Sequence, residues 1–127
     1  DIIETIVQLG RQTKDPQTQL NAATCLAHIT EVLHCNPEVA HRGIEFMIDM
    51  LKDAKHLRPY RQGCRYFANL SFYKDFRDEL IEKDIGLLLL KAIERQPDSD
   101  TIKHSAIALA NLSSHKGFMG LKKATGN

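Results

Sequence analysis

The chain has 127 residues, of which 43% are apolar and 26% charged, a balance that fits one folded domain and excludes global disorder. Its 17 Lys and Arg against 16 Asp and Glu leave a formal charge of +1, too little for the phosphate attraction on which nucleic-acid binders rely. No apolar run approaches the ~18 residues of a membrane span, so no membrane insertion is expected.

Taken in chain order, apolar spacing and helix-boundary residues predict helices over about 2–13, 16–33, 37–54 (with a bend near Gly43), 59–73, 75–83, 85–96 and 100–114, followed by a frayed piece after His115. Asp15-Pro16 and Asn36-Pro37 each join a good N-cap to a proline suited to the first helical turn. Lys55-His56-Leu57-Arg58 reads as a linker. Pro97-Asp98-Ser99-Asp100 ends one helix and offers caps to the next. No alternating strand pattern interrupts this series, so the class is all-α.

A repeat organises these helices. Ala23-Thr24-Cys25-Leu26-Ala27-His28-Ile29, Cys64-Arg65-Tyr66-Phe67-Ala68-Asn69-Leu70 and Ala106-Ile107-Ala108-Leu109-Ala110-Asn111-Leu112 align at spacings of 41 and 42 residues. Each copy sets a small residue, a large apolar one three later, then Ala, a polar residue and a second large apolar one. These positions lie on one helical face, and the Ala allows a neighbouring helix to come close. Between the copies, Ile6 and Leu9, Ile48 and Leu51, and Leu90 and Ile93 repeat an i, i+3 step every 42 residues.

This period excludes tetratricopeptide and ankyrin arrays, whose units are ~34 and ~33 residues long. Phe67-Ala68-Asn69-Leu70-Ser71 and Leu109-Ala110-Asn111-Leu112-Ser113 resemble the third-helix signature of armadillo repeats. Glu79-Leu80-Ile81-Glu82-Lys83-Asp84 leading into Ile85-Gly86-Leu87-Leu88-Leu89-Leu90 resembles the passage from that family's short first helix to its second. The chain departs from that pattern where His28 replaces the asparagine and Gly86 falls one residue late, which leaves HEAT-like packing, built on the same stacked-helix physics, as the weaker alternative. The resemblance implies a right-handed α-solenoid of stacked three-helix repeats. The whole chain, 1–127, would then be a single fragment: a partial repeat over 1–33, repeats over 34–73 and 74–114, and a partial repeat over 115–127. Asp1 at the start, where a methionine would open a complete chain, agrees with a piece of a longer protein.

In an armadillo solenoid, the resemblance implies, the third helices line a concave groove in which asparagine amides hold the main chain of an extended peptide. An amide suits this role because it carries both a donor and an acceptor. In the helical frame of Asn69, Asn111 and His28, the groove-facing neighbours are Gln62, Arg65, Tyr66 and Tyr73; His104, Ile107, Ala108 and His115; and Asn21, Thr24, Cys25 and Val32. The candidate binding residues are therefore Asn21, Thr24, His28, Gln62, Arg65, Asn69, Tyr73, His104, Ile107 and Asn111. The plainer alternative is that each asparagine braces the adjacent repeat and touches no ligand. Nuclear-import receptors of this family carry tryptophan four residues before the asparagine. Thr24, Arg65 and Ile107 stand there, and the chain has no tryptophan. Arg61, Arg65, Lys103 and His104 give the groove a basic lean that disfavours a nuclear localisation peptide and favours an acidic or phosphorylated one.

Other chemistries lack their residues. His28, His34, Cys35 and His41 do not have zinc spacing, and no cofactor motif is present. There is no nucleophile elbow, phosphate-cradling glycine loop or His-Glu-x-x-His, so no enzyme is expected. Phe72, Tyr73 and Phe76 are read as filling a gap between helices in preference to stacking on bases. Three cysteines without a Cys-x-x-Cys pair read as reduced thiols, which places the chain in the cytosol or the nucleus. The function expected is a non-enzymatic protein-binding scaffold. The competing expectation is a structural spacer that self-associates through the apolar ends of its solenoid.

Overall fold

A computed structural model describes residues 2–32, 37–53 and 57–115, and all of the described secondary structure is helical. Seven helices follow one another: α1 (Ile2–Gln12), α2 (Pro16–Val32), α3 (Pro37–Asp53), α4 (Leu57–Ser71), α5 (Lys74–Glu82), α6 (Ile85–Arg95) and α7 (Ser99–Ser113). Helix α3 runs without a break across Gly43, where a bend is expected. Leu57 and Arg58, expected in a linker, instead form the first turn of α4, where Pro59 is tolerated because the leading N–H groups need no intrahelical partner. Lys55, His56, the piece following His115 and the metal candidates His34 and Cys35 lie outside the described residues.

Local chemistry explains the helix ends. Asp15 accepts from the Thr18 hydroxyl at 2.6 Å and its N–H at 3.3 Å, which caps α2. Asp98 caps α7 through the N–H groups of Asp100 and Thr101. Arg77 donates from Nε to the Ser71 carbonyl at 2.8 Å, closing the C-terminus of α4. Between α5 and α6 the chain turns at Asp84, whose φ of 56° is the left-handed conformation that short polar side chains tolerate better than most.

The helices pack in two layers. α2, α4 and α7 lie side by side, with α1, α3 and α6 behind them and α5 against α3, α4 and α6. Within the first layer the helices are parallel: the first turns of α2 and α4 share a cleft, while Asn69 near the end of α4 reaches Ala27 and Thr30 near the end of α2. Ion pairs mark the repeat in the second layer. Glu4–Arg42 (2.7 Å), Arg11–Asp49 (3.0 Å) and Glu45–Lys83 each join residues 38 apart in sequence, as does the contact of His41 Nδ1 with Glu79 Oε2 (2.6 Å). The Lys83 ammonium holds the Glu45 carboxyl below its ordinary range, and Glu45 raises Lys83 in return.

Burial follows position in the stack. Ile48 and Leu51, in the middle copy of the phased pairs, are buried, whereas Leu9 and Leu90 in the flanking copies are 53% and 37% exposed. Ala23 and Cys64 are buried against the next helix, and Ala106, with no described helix beyond it, is exposed.

Tyr66 couples the two layers. Its ring is fully buried and meets Phe67 edge-on at 5.8 Å, and its hydroxyl donates to the Ala40 carbonyl on α3. The space it crosses exists because residue 43 has no side chain: a Cβ on Gly43 would lie 2.3 Å from the Tyr66 oxygen. This is where sequence reasoning erred about Tyr66, placed among the groove-facing residues, and Ala108 is likewise buried. Gly43→Ala should lower unfolding free energy in urea by about 2 kcal/mol or more, as overpacking does. Tyr66→Phe should cost about 1 kcal/mol through its lost hydrogen bond. Because Phe removes the atom that a Cβ meets first, the double variant should lose less than the sum of the two.

Candidate peptide groove

Along the shared face of α2, α4 and α7 the structure leaves all ten candidate residues in reach of solvent. Asn21 and His28 are exposed, and Thr24, Gln62, Arg65, Asn69, Tyr73, His104, Ile107 and Asn111 are half-buried. Three of them are brought together in one cleft. Asn21 and Thr24, with Gln17 and Leu20, form its α2 wall, and Gln62, Arg58 and Arg61 its α4 wall, around a volume of about 310 Å³. Within it Asn21 Oδ1 accepts from Gln17 Nε2 at 3.1 Å, and the Thr24 hydroxyl donates to the Leu20 carbonyl at 2.8 Å. Gln62 Oε1 is buried and has no hydrogen-bond partner.

The two asparagines do something more structural. Asn69 Nδ2 donates to the Ala27 carbonyl at 3.2 Å and to Thr30 Oγ1 at 3.1 Å. Asn111 Nδ2 donates to Ser71 Oγ at 3.0 Å. Each amide therefore braces its own helix against the preceding one. Thr30 and Ser71, which receive these amides, and Ser113 at the same phase each donate to the carbonyl three residues back, at Ala27, Ala68 and Ala110. These hydroxyls escaped sequence reasoning although their spacing of 41 and 42 residues was a readable signal. Asn69 Nδ2 spends both of its hydrogens in the seam and Asn111 Nδ2 spends one, so a ligand can meet either asparagine oxygen and the second N–H of Asn111.

Charge on the face is also more balanced than the sequence suggests. Arg65 pairs with Glu31 of α2. Arg61 Nε donates to Asp98 Oδ2 at 2.9 Å, and Asp100 stands 3.7 Å away. Burial pushes the Asp98 carboxyl up, but hydrogen bonds from Thr101 and Arg61 outweigh it and hold the group below its ordinary value. His104 is held below the usual imidazole range by desolvation, reinforced by the positive charges of Lys103 and Arg65. Tyr73 meets Phe76 edge-on at 6.3 Å; Phe76 is buried and fills the interhelical gap, while Phe72 is 61% exposed. Past the end of α7, His115 Nε2 lies 2.5 Å from Asp78 Oδ1 on α5.

Cys64 is buried between α4 and α7, where the Ser105 hydroxyl donates to its sulfur at 3.3 Å. Burial pushes the thiol up to about 11, with the Ser105 hydrogen bond opposing that shift in part. Among the described residues no three His, Cys, Asp or Glu side chains converge as metal ligands, and no helix is long and apolar enough to cross a membrane. Comparison with family models, with curated proteins and with solved structures returns no match to this chain.

Asn69→Ala strips a donor from two acceptors and Asn111→Ala from one. Chemical denaturation should show losses of ~1–3 kcal/mol, larger for Asn69. The Asp98 charge has a pH signature. Its folded pKa lies below the unfolded value of 3.8, so its contribution is present above that value and disappears as pH falls through the folded pKa. Asp98→Asn keeps a capping side chain but loses the charge. The stability gap between the native chain and this variant should be constant near neutrality and shrink below about pH 4.

Proposed function

We propose that this chain is a non-enzymatic protein-interaction module, a segment of an armadillo-type α-solenoid that receives an extended or helical segment of a partner on the face of α2, α4 and α7. The observation carrying this reading is the polar cleft between α2 and α4. There Asn21, Thr24 and Gln62 stand on parallel helices at the head of a row continued by Arg65, Asn69, His104 and Asn111. Amides and hydroxyls at one phase on successive helices match the main-chain donors and acceptors of an extended peptide, which recur along its length. The same inventory speaks against catalysis, since these groups hold main chain well and two of the face's three arginines, Arg61 and Arg65, are already paired across helices.

The partner is a protein or peptide with acidic character, although Glu31, Asp98 and Asp100 reduce the attraction that the sequence implied. Cytosolic or nuclear residence accords with the free Cys25 and Cys64. A second reading, self-association through the ends, draws on the exposed Ile102 and Leu90 at one end and Ile2 and Leu9 at the other.

Groove residues outside the asparagine seam test the proposal without unfolding the stack. On arrays of extended peptides, the Asn21→Ala, His28→Ala, Gln62→Ala triple variant should lose about tenfold in affinity for the peptides the native chain retains, some 1.4 kcal/mol. Glu82→Ala, on α5, should change nothing. Unchanged binding by the triple variant removes the groove assignment. Concentration-dependent assembly in sedimentation velocity, combined with an inert groove, would select the spacer.

A further inference from the structure

The cleft between α2 and α4 has a sharper chemistry than a general peptide-binding face. We propose that it is an acidic-residue subsite: the carboxylate of an Asp or Glu in an extended peptide meets the Arg58 guanidinium, while a neighbouring peptide N–H donates to Gln62 Oε1. This inference rests on the groove reading above and adds the identity of the side chain held at its head.

Three observations converge on it. The first is the orphaned acceptor. Gln62 lines the cleft and its Oε1 is buried with no hydrogen-bond partner, and an unmet acceptor of this kind costs ~1–3 kcal/mol until a donor arrives. An occupant that brings an N–H or O–H to this atom removes that cost. The second is the distribution of charge. Arg61 is engaged by Asp98 and Asp100, whereas Arg58 is exposed in the first turn of α4, where the helix dipole adds to its positive potential. The corresponding turn of α2 is already served by the Asp15 carboxylate. A single negative charge on the occupant matches this arrangement. The third is size: about 310 Å³ stands at the lower end of the ~300–1,000 Å³ of ligand sites, enough for one side chain and its adjoining peptide groups.

Together these select a carboxylate over a phosphate. A phosphoserine residue would bring the same main-chain N–H, but its charge of about −2 exceeds that of the one guanidinium, Arg58, left over once Asp98 and Asp100 engage Arg61, whereas a carboxylate matches it. An acidic residue carries its anion and a main-chain N–H a few ångströms apart. Asn21 keeps its Nδ2 to donate to the peptide carbonyl that follows.

The test titrates the isotope-labelled full chain with three dodecapeptides of Gly, Ser and Ala that differ only in a central Glu, Gln or phosphoserine, following the protein's amide resonances. The Glu peptide should bind at least fivefold more tightly than the Gln peptide and shift Asn21, Thr24 and Gln62. Arg58→Gln, a change at an exposed site, should bring the Glu-to-Gln ratio close to one. Gln62→Leu should weaken both peptides alike. Equal binding of the Glu and Gln peptides along the three-helix face overturns the subsite and leaves the groove reading standing, as do shifts confined to the other end of the face. Tightest binding by the phosphoserine peptide overturns the choice of a carboxylate. If no peptide perturbs the face at millimolar concentration, the groove reading falls and the subsite falls with it.

Discussion

Parallel helices laid side by side can slide along one another unless something directional stops them, and here that stop is an asparagine amide. Asn69 is fixed to a carbonyl and a hydroxyl on α2, and Asn111 to a hydroxyl on α4. Apolar contacts alone change little when a helix shifts by one turn of ~5.4 Å, because one small or large residue replaces another of its kind. A hydrogen bond does not survive that shift, and a stranded amide in a half-buried seam is penalised. The amides therefore set the axial register of the front layer, and the cleft at the opposite end of α2 and α4 inherits its shape from that register.

The rear layer is registered differently. Beside its buried apolar contacts, ion pairs at a constant separation of 38 residues join α1 to α3 and α3 to the end of α5, mostly exposed and each worth little, ~0–1 kcal/mol. Their regularity records the repeat more than it stabilises it. What locks the rear layer to the front is Tyr66 passing over Gly43 to the Ala40 carbonyl, a contact that needs a vacancy on one helix and a long polar-tipped ring on another. Amide seam, ion pairs and interlayer lock thus use three kinds of interaction on one repeating scaffold.

The helices were legible in the sequence because their signals are local. Proline after a capping residue, Asp98 ahead of α7 and the i, i+3 apolar step each act within a few residues, and all seven helices lie within a few residues of their expected bounds. Less legible was anything decided across the stack. Tyr66 stands three residues before Asn69, only about 60° away around the helix, and whether such a position faces the groove or the interior depends on the space opposite. That space is Gly43, a residue that on its own suggested a bend. The pairing of Arg61 with Asp98 and of Arg65 with Glu31 was hidden for a similar reason, since partners 34 to 37 residues apart meet only once the helices are parallel. The roles of Thr30 and Ser71 could have been found by aligning hydroxyls as carefully as asparagines.

Cys64 gives this architecture a reporter of its own. Its sulfur sits where α4 and α7 meet, shielded from water, and its proton is held so firmly that almost no thiolate exists at neutral pH. Cys25, by contrast, is half-exposed on α2. An alkylating reagent will therefore reach Cys25 in the folded chain and Cys64 only in the moments when the seam parts. The ratio of the two labels is a clock for breathing between adjacent repeats, already written into the unaltered chain.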